Sequence, residues 1–230
     1  MDKLRHYTKQ VCKDVLPDLQ SEIEDLLEIK LGYDVKISSL DKLSWVEKYF
    51  MGIKGKDVND WKENSRFASF CVRNDEILLL NPLMVEENQI KSQLVHELGH
   101  LFSFKMNPVL NFGNLLEQTL LIPIQNPKRF HMRNSLSEGF SDYLACHLAL
   151  EYYNTEEKKS ATNRFSDVLA ASPVMVIDGV KMINHYTIGL NYFHEMCTNT
   201  SNPIREAKTR IIRPRYDEVD HFIETYAYRF

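Results

Sequence analysis

Val95-His96-Glu97-Leu98-Gly99-His100-Leu101 sets an H-E-x-x-H pattern inside an apolar run. Around it Ile90, Leu94, Val95, Leu98, Leu101 and Phe102 recur at helical spacing, which predicts a helix from about residue 85 to 105. Glu86 and Glu87 suit its first turn, where acidic groups complement the helix dipole, and Asn107-Pro108 ends it. Residues four apart on a helix lie one above the other on a single face. His96 and His100 can therefore each turn an imidazole nitrogen toward one metal ion. Glu97 stands one residue further round, within reach of a water on that ion. Two neutral nitrogen ligands beside a carboxylate base are what zinc-assisted hydrolysis requires. Apolar residues flank the histidines on nearly all sides, so the helix is expected to be buried, and buried histidines need partners.

A hydrolytic zinc needs a third protein ligand and an open position. The metzincin pattern would place a third histidine six residues beyond His100. Met106 occupies that position and Ser103 stands where the glycine belongs, which excludes that class. Downstream, Asn134-Ser135-Leu136-Ser137-Glu138-Gly139-Phe140-Ser141-Asp142-Tyr143-Leu144-Ala145 puts Glu138 and Asp142 four apart. Here the chain resembles the gluzincin metallopeptidases, whose second motif is a glutamate ligand followed four residues later by an aspartate. The resemblance implies that Glu138 is the third zinc ligand. It also implies that Asp142 holds the far nitrogen of a ligating histidine, His96, fixing its tautomer and raising its basicity. The residues permit another reading. Ser135-x-x-Glu138 is also a capping box, in which Glu138 reaches back to a backbone N–H and Asp142 is solvated. Glu117, His131, His147, His185 and His194 are further candidate ligands by type, and of these only His147 has even a weak partner at helical spacing, Glu151.

A third stretch, Asn184-His185-Tyr186-Thr187-Ile188-Gly189-Leu190-Asn191-Tyr192-Phe193, resembles the helix start that follows the zinc site in aminopeptidase-like gluzincins. Tyr186 and Gly189 match its Tyr-x-x-Gly element. The resemblance implies that the Tyr186 phenol donates to the developing oxyanion. His185 is a rival for that role, and a plain buried stripe of Tyr186, Leu190 and Phe193 is the alternative. The exopeptidase signature G-x-M-E-N of the aminopeptidase branch is absent, which leans toward endopeptidase action or toward an unrelated way of recognising a chain end.

The remaining chain sets bounds. Its 230 residues suffice for one sizeable domain, or a core with appended helices. A net charge of -4 gives no reason to expect a nucleic-acid partner. The basic patch Arg205 to Arg215 reads as a solvated linker. The first residues lack the apolar region of a signal peptide, and no apolar stretch is long enough to span a bilayer. Cys12, Cys71, Cys146 and Cys197 are scattered and form no C-x-x-C pair, which fits reduced thiols in a cytoplasmic protein.

The pattern predicts a helix over Pro17 to Leu31 with Gly32 just past its end, then a short strand at Val35-Lys36-Ile37. A helix at 41–50 and a polar loop at 52–60 follow. Residues 66–72 and 76–80 flank Arg73-Asn74-Asp75 as a hairpin, its second strand apolar enough to be covered on both faces. Beyond the zinc helix, residues 105–133 form an insertion, with a lid and a structural loop both open. Helices are expected at 155–170, 181–197 and 217–226, with a short strand or turn at 173–180. The fold class is α+β, and the order resembles the minimal gluzincin core. That resemblance implies a zincin-like sheet whose edge strand binds an extended peptide. The domain reading is 1–153 as metallopeptidase core and 154–230 as a helical subdomain closing the cleft. The expected function is zinc-dependent peptide hydrolysis, with one zinc per chain and a peptide or protein substrate. A dedicated regulatory peptidase that cuts one partner protein, and a non-catalytic domain stapled by zinc, are the competing readings.

Overall fold

The computed structural model describes residues 2–39, 70–73, 75–79, 87–112, 127–177 and 179–227. Within these it is mostly helical with two small sheets, an α+β arrangement. The expected helix at 41–50, the loop at 52–60, Asn81-Pro82, Glu86 and Glu117 lie outside the described residues. No described helix is long and apolar enough to cross a membrane.

Helix α1 spans Asp2–Leu27, with Pro17 inside it rather than at its start. Cys12 and Leu16, upstream of the proline, continue the buried face of Leu19, Ile23 and Leu27. Pro17 itself is exposed. Apolar burial along the whole face therefore outweighs one missing backbone bond, whose orphaned carbonyl lies on the wet side. The helix also ends earlier than Leu31. Glu28 turns to φ 52, and Ile29 N–H donates to the Glu24 carbonyl at 3.0 Å, a closing bond of the Schellman kind. Gln20 then grips the turn through the Tyr33 carbonyl at 2.8 Å and Val35 N–H at 3.0 Å. That grip aims the chain into strand β1, Lys36–Ser39.

Strands β2, Phe70–Arg73, and β3, Glu76–Leu79, form the expected hairpin, with Arg73 opposite Glu76. β3 lies in the middle of the order β1-β3-β2, parallel to β1 and antiparallel to β2. Its consecutive Ile77 and Leu78 are both fully buried, as a strand covered on both faces requires.

Three helices make the centre. α2 covers Glu87–Met106, followed by the short α3, Pro108–Phe112. α4 runs unbroken from Pro127 to Tyr152, so part of the expected 105–133 insertion is helix, and residues 113–126 lie outside the described chain. α5, Thr155–Ala170, begins at a capping box made by Asn154 and Glu157. The expected helix from Lys181 starts late. Val174–Ile177 and Val180–Ile183 pair as β4 and β5, and α6 occupies His185–Cys197 behind its cap Asn184. The β-branched residues Val174, Val176, Ile177, Val180 and Ile183 favour strand there, and Val174 and Ile183 pack on the core.

The basic patch is not a linker. α7, Pro203–Ile212, buries Ile204, Ala207 and Ile211, and α8, Tyr216–Tyr226, buries Val219, Phe222 and Ile223. Arg210 ties them together, donating to Glu206, Glu218 and the Tyr192 hydroxyl. Charge density along the sequence hid an amphipathic face whose apolar residues recur every three to four positions.

α4 and α6 meet backbone to backbone. A Cβ on Gly189 would stand 1.9 Å from the Ser135 carbonyl oxygen, and one on Gly139 would stand 2.1 Å from the Gly189 carbonyl carbon. Neither helix has room for a methyl group at this crossing. Gly189→Ala is expected to cost about 1–3 kcal/mol or more through forced separation of the helices. Urea unfolding of the purified variant measures it, and an unchanged midpoint would show that the crossing yields freely.

Candidate metal centre

α2 presents His96, Glu97 and His100, and α4 presents Glu138 and Asp142 across from them. Ser135, Glu138 and Asp142 all lie within continuous helix, so Ser135 caps nothing and the capping-box reading fails. Small residues bring the two helices close: a Cβ on Gly99 would lie 2.8 Å from the Ser141 Cα. The apolar residues that predicted α2 surround the histidines, with Leu94, Val95 and Leu98 fully buried. His96 is 5 % exposed, and Glu97 and His100 are 9 % exposed.

The two Nε2 atoms are 3.1 Å apart, and each is 3.3 Å from Glu138 Oε2. His96, His100 and Glu138 form a group whose atoms can hold one metal ion. A tetrahedral zinc with bonds of about 2.0–2.1 Å separates its ligand atoms by about 3.3 Å. The triangle therefore has the size of one face of such a site. Glu138 Oε2 is buried and accepts no hydrogen bond despite the two nitrogens beside it. A lone pair left without a partner at this point is what an ion-binding triangle needs.

The atoms behind the ligands fix their tautomers. His96 Nδ1 lies 2.8 Å from Asp142 Oδ1. The carboxylate has no proton to give, so Nδ1–H donates, and Nε2 is the nitrogen turned toward the triangle. His100 Nδ1 lies 2.8 Å from the Ser137 hydroxyl, which can accept from it in the same way. Asp142 Oδ1 also accepts from Arg164, at 3.0 Å. Asp142 itself is 5 % exposed, so the guanidinium offsets much of the cost of burying its charge.

Three carboxylates, Glu97, Glu138 and Asp142, thus face one guanidinium. Once both imidazoles give up their extra protons, as metal ligation requires, two surplus negative charges are left, the charge of one divalent cation. The field shows on each group. Burial disfavours a charged His96 ring, yet Asp142, Glu138 and Glu97 outweigh it and raise its pKa to about 10. Burial opposes ionisation of Glu138 too, but the two histidines hold its carboxyl well below the ordinary range. Glu97 goes the other way. Burial pushes its carboxyl up, more than the nearby rings pull it down.

Tyr186 stacks on the His96 ring at 5.9 Å between centroids. It is 37 % exposed, so its ring closes one side of the centre and still meets solvent. Glu138 foremost, with burial and Glu97, holds its phenol well above the ordinary range, so the O–H keeps its proton. His185, the rival, is drawn away. It lies 2.8 Å from His131 Nδ1, and burial and then His131 lower its pKa to about 4. The other histidines weighed as ligands sit elsewhere: His147 stacks on Tyr143, and His194 packs edge-on against Phe165.

No protein-family model, curated protein or solved structure matches this chain. The centre therefore stands on its own geometry. Sequence reading missed Ser137 and Arg164. Ser137 precedes the glutamate by one residue and had no metal-site signal of its own. Arg164 lies 22 positions from Asp142 in a separate helix, and no spacing rule links them.

The Asp142 contact makes a prediction. Asp142→Ala is expected to weaken zinc binding by about 10- to 100-fold, because it frees the His96 ring to rotate and lowers its basicity. Glu138→Ala, which removes a ligand, is expected to weaken it more. Chelator-competition titration of both variants checks the order, and wild-type affinity in Glu138→Ala would remove the glutamate from the ligand set.

Proposed function

We propose that this chain is a zinc-dependent peptidase of the gluzincin type, with a zincin-like core formed by the β1-β3-β2 sheet, α2 and α4. The observation that carries the reading is the Nε2–Nε2–Oε2 triangle with Asp142 behind His96. Two imidazoles and one carboxylate suit zinc and leave a position open for substrate. Bound there, zinc would polarise a carbonyl and lower the pKa of a coordinated water to about 7.

The chain's own groups do the rest. Glu97 accepts the proton of the attacking water and passes it to the leaving amine nitrogen. Its raised pKa suits both halves of that transfer. The Tyr186 hydroxyl donates to the oxygen that gains charge as the carbonyl carbon becomes tetrahedral. His96 and His100 are held in the ligating tautomer by Asp142 and Ser137. Arg164 keeps Asp142 anionic and aimed. Among the described residues β2 is an edge strand packed on α2, the kind of edge to which an extended peptide adds as a further strand.

A zinc that only staples helices is the competing reading. Structural sites are closed by four protein ligands and have no use for a base beside them. The described residues supply three, with Glu97 next to them. The deciding experiment measures zinc per chain and the cleavage of a peptide mixture by mass spectrometry, with and without chelator. One zinc per chain with chelator-sensitive cleavage is expected. A stoichiometric zinc with no cleavage of any peptide would favour the staple, and no zinc at all would reject both.

A further inference from the structure

A cleft of about 620 Å³ opens beside the metal centre, within the range of about 300–1,000 Å³ usual for ligand sites. Four elements line it: Ser92 and Gln93 from α2, Arg164 and Val168 from α5, Met175 from β4 and Tyr186 from α6. Three of its lining residues border the centre. Ser92 lies one helical turn before His96, and Tyr186 is the ring stacked on His96. Arg164 joins it to Asp142.

We propose that this cleft is the subsite for a bulky apolar side chain of the peptide substrate, held by Met175 in its wall and by Met182 beside it on the same face of the hairpin. The inference rests on the peptidase reading. Met175 is directly opposite Met182 in the β4–β5 ladder, and opposed residues in antiparallel strands share a face. That face is turned to the cleft, since Met175 lines it. Met182 is 47 % exposed, and Tyr186 adds its exposed ring nearby. Large apolar groups left together in water beside a reactive centre mark a binding surface. Unbranched thioether side chains reshape to follow what they hold. From the opposite face of the hairpin, Val174 and Ile183 pack on the core and anchor it. Among the described residues of the wall Arg164 is the one cation, and its charge is met by Asp142 at 3.0 Å. A neutral, apolar occupant therefore costs least to desolvate there. Asp167 stands exposed at the rim, which gives the test its sharpest rival occupant, a basic side chain.

The experiment uses decapeptides that are identical except for Leu, Phe, Met, Ser, Asp or Lys at one scanned position. Zinc-loaded Glu97→Gln protein reports binding by fluorescence anisotropy, and wild-type protein reports kcat/KM. At one position the apolar peptides are expected to exceed Ser and Asp by about 10- to 100-fold in both readouts. Met175→Ser with Met182→Ser is expected to flatten that preference while zinc content stays at wild-type level. Met182→Glu alone, at an exposed position, repeats the test if the double variant fails to fold. A preference that survives the substitutions, an equal response to all peptides, or a preference for Lys would overturn the proposal. Apolar-selective binding that depends on Met175 and Met182, with no zinc-dependent cleavage, would instead retain the subsite and overturn the peptidase reading.

Discussion

Glu97→Gln is expected to leave zinc content unchanged and to lower turnover by about 100- to 10,000-fold, the usual worth of a positioned acid–base group. The glutamate sits outside the triangle of ligating atoms, so its loss removes no ligand. Glutamine matches its volume in a position only 9 % exposed, so packing should hold. What disappears is a buried carboxylate able to take a proton. Because the base acts on the bond-making step, kcat should fall with kcat/KM and substrate binding should persist. Metal analysis, a melting curve and steady-state kinetics on one preparation provide the check. Turnover within a few-fold of wild type would remove Glu97 from the chemistry, and loss of zinc would make it a ligand.

Tyr186→Phe is expected to lower kcat and kcat/KM together by about 100- to 1000-fold, because the phenol acts on charge that exists only in the transition state. The ring that stacks on His96 remains, so zinc content and melting temperature should barely move. His185→Ala is the parallel arm. Its ring is engaged with His131, and a modest kinetic loss is expected from it. A large loss in His185→Ala beside a near-normal Tyr186→Phe would transfer the oxyanion role to the histidine. Normal turnover in both would make the start of α6 scaffold.

Legibility followed the range of each interaction. Contacts within one helix were readable: His96 and His100 share a face because four residues make about one turn, and α5 appears over Thr155–Ala170 as expected because its cap and apolar face are local. Glu138 and Asp142 were picked out because their spacing resembles the gluzincin second motif, yet their partner helix was not contained in that spacing. Capping box and metal ligand use the same letters at Ser135 and Glu138. Only the unbroken run of α4 through Ser135 separates them. Three boundaries were misjudged for one reason. Pro17, the residues at 181–183 and the basic patch at 205–215 each obey a local preference that a shared apolar face overrides.

By itself, then, the sequence determined the helix that carries both histidines and Glu97, the central strand of the sheet and the four-residue spacing of Glu138 and Asp142, because each is written in a short period. Tertiary structure alone decided that Glu138 Oε2 completes a triangle with both histidines, that Arg164 and Ser137 stand behind it, and that Tyr186 rather than His185 faces His96. Those outcomes depend on how closely helices approach. At Gly99, Gly139 and Gly189 a missing Cβ sets that approach. A missing side chain carries no signal in sequence until the backbone that fills its place is known.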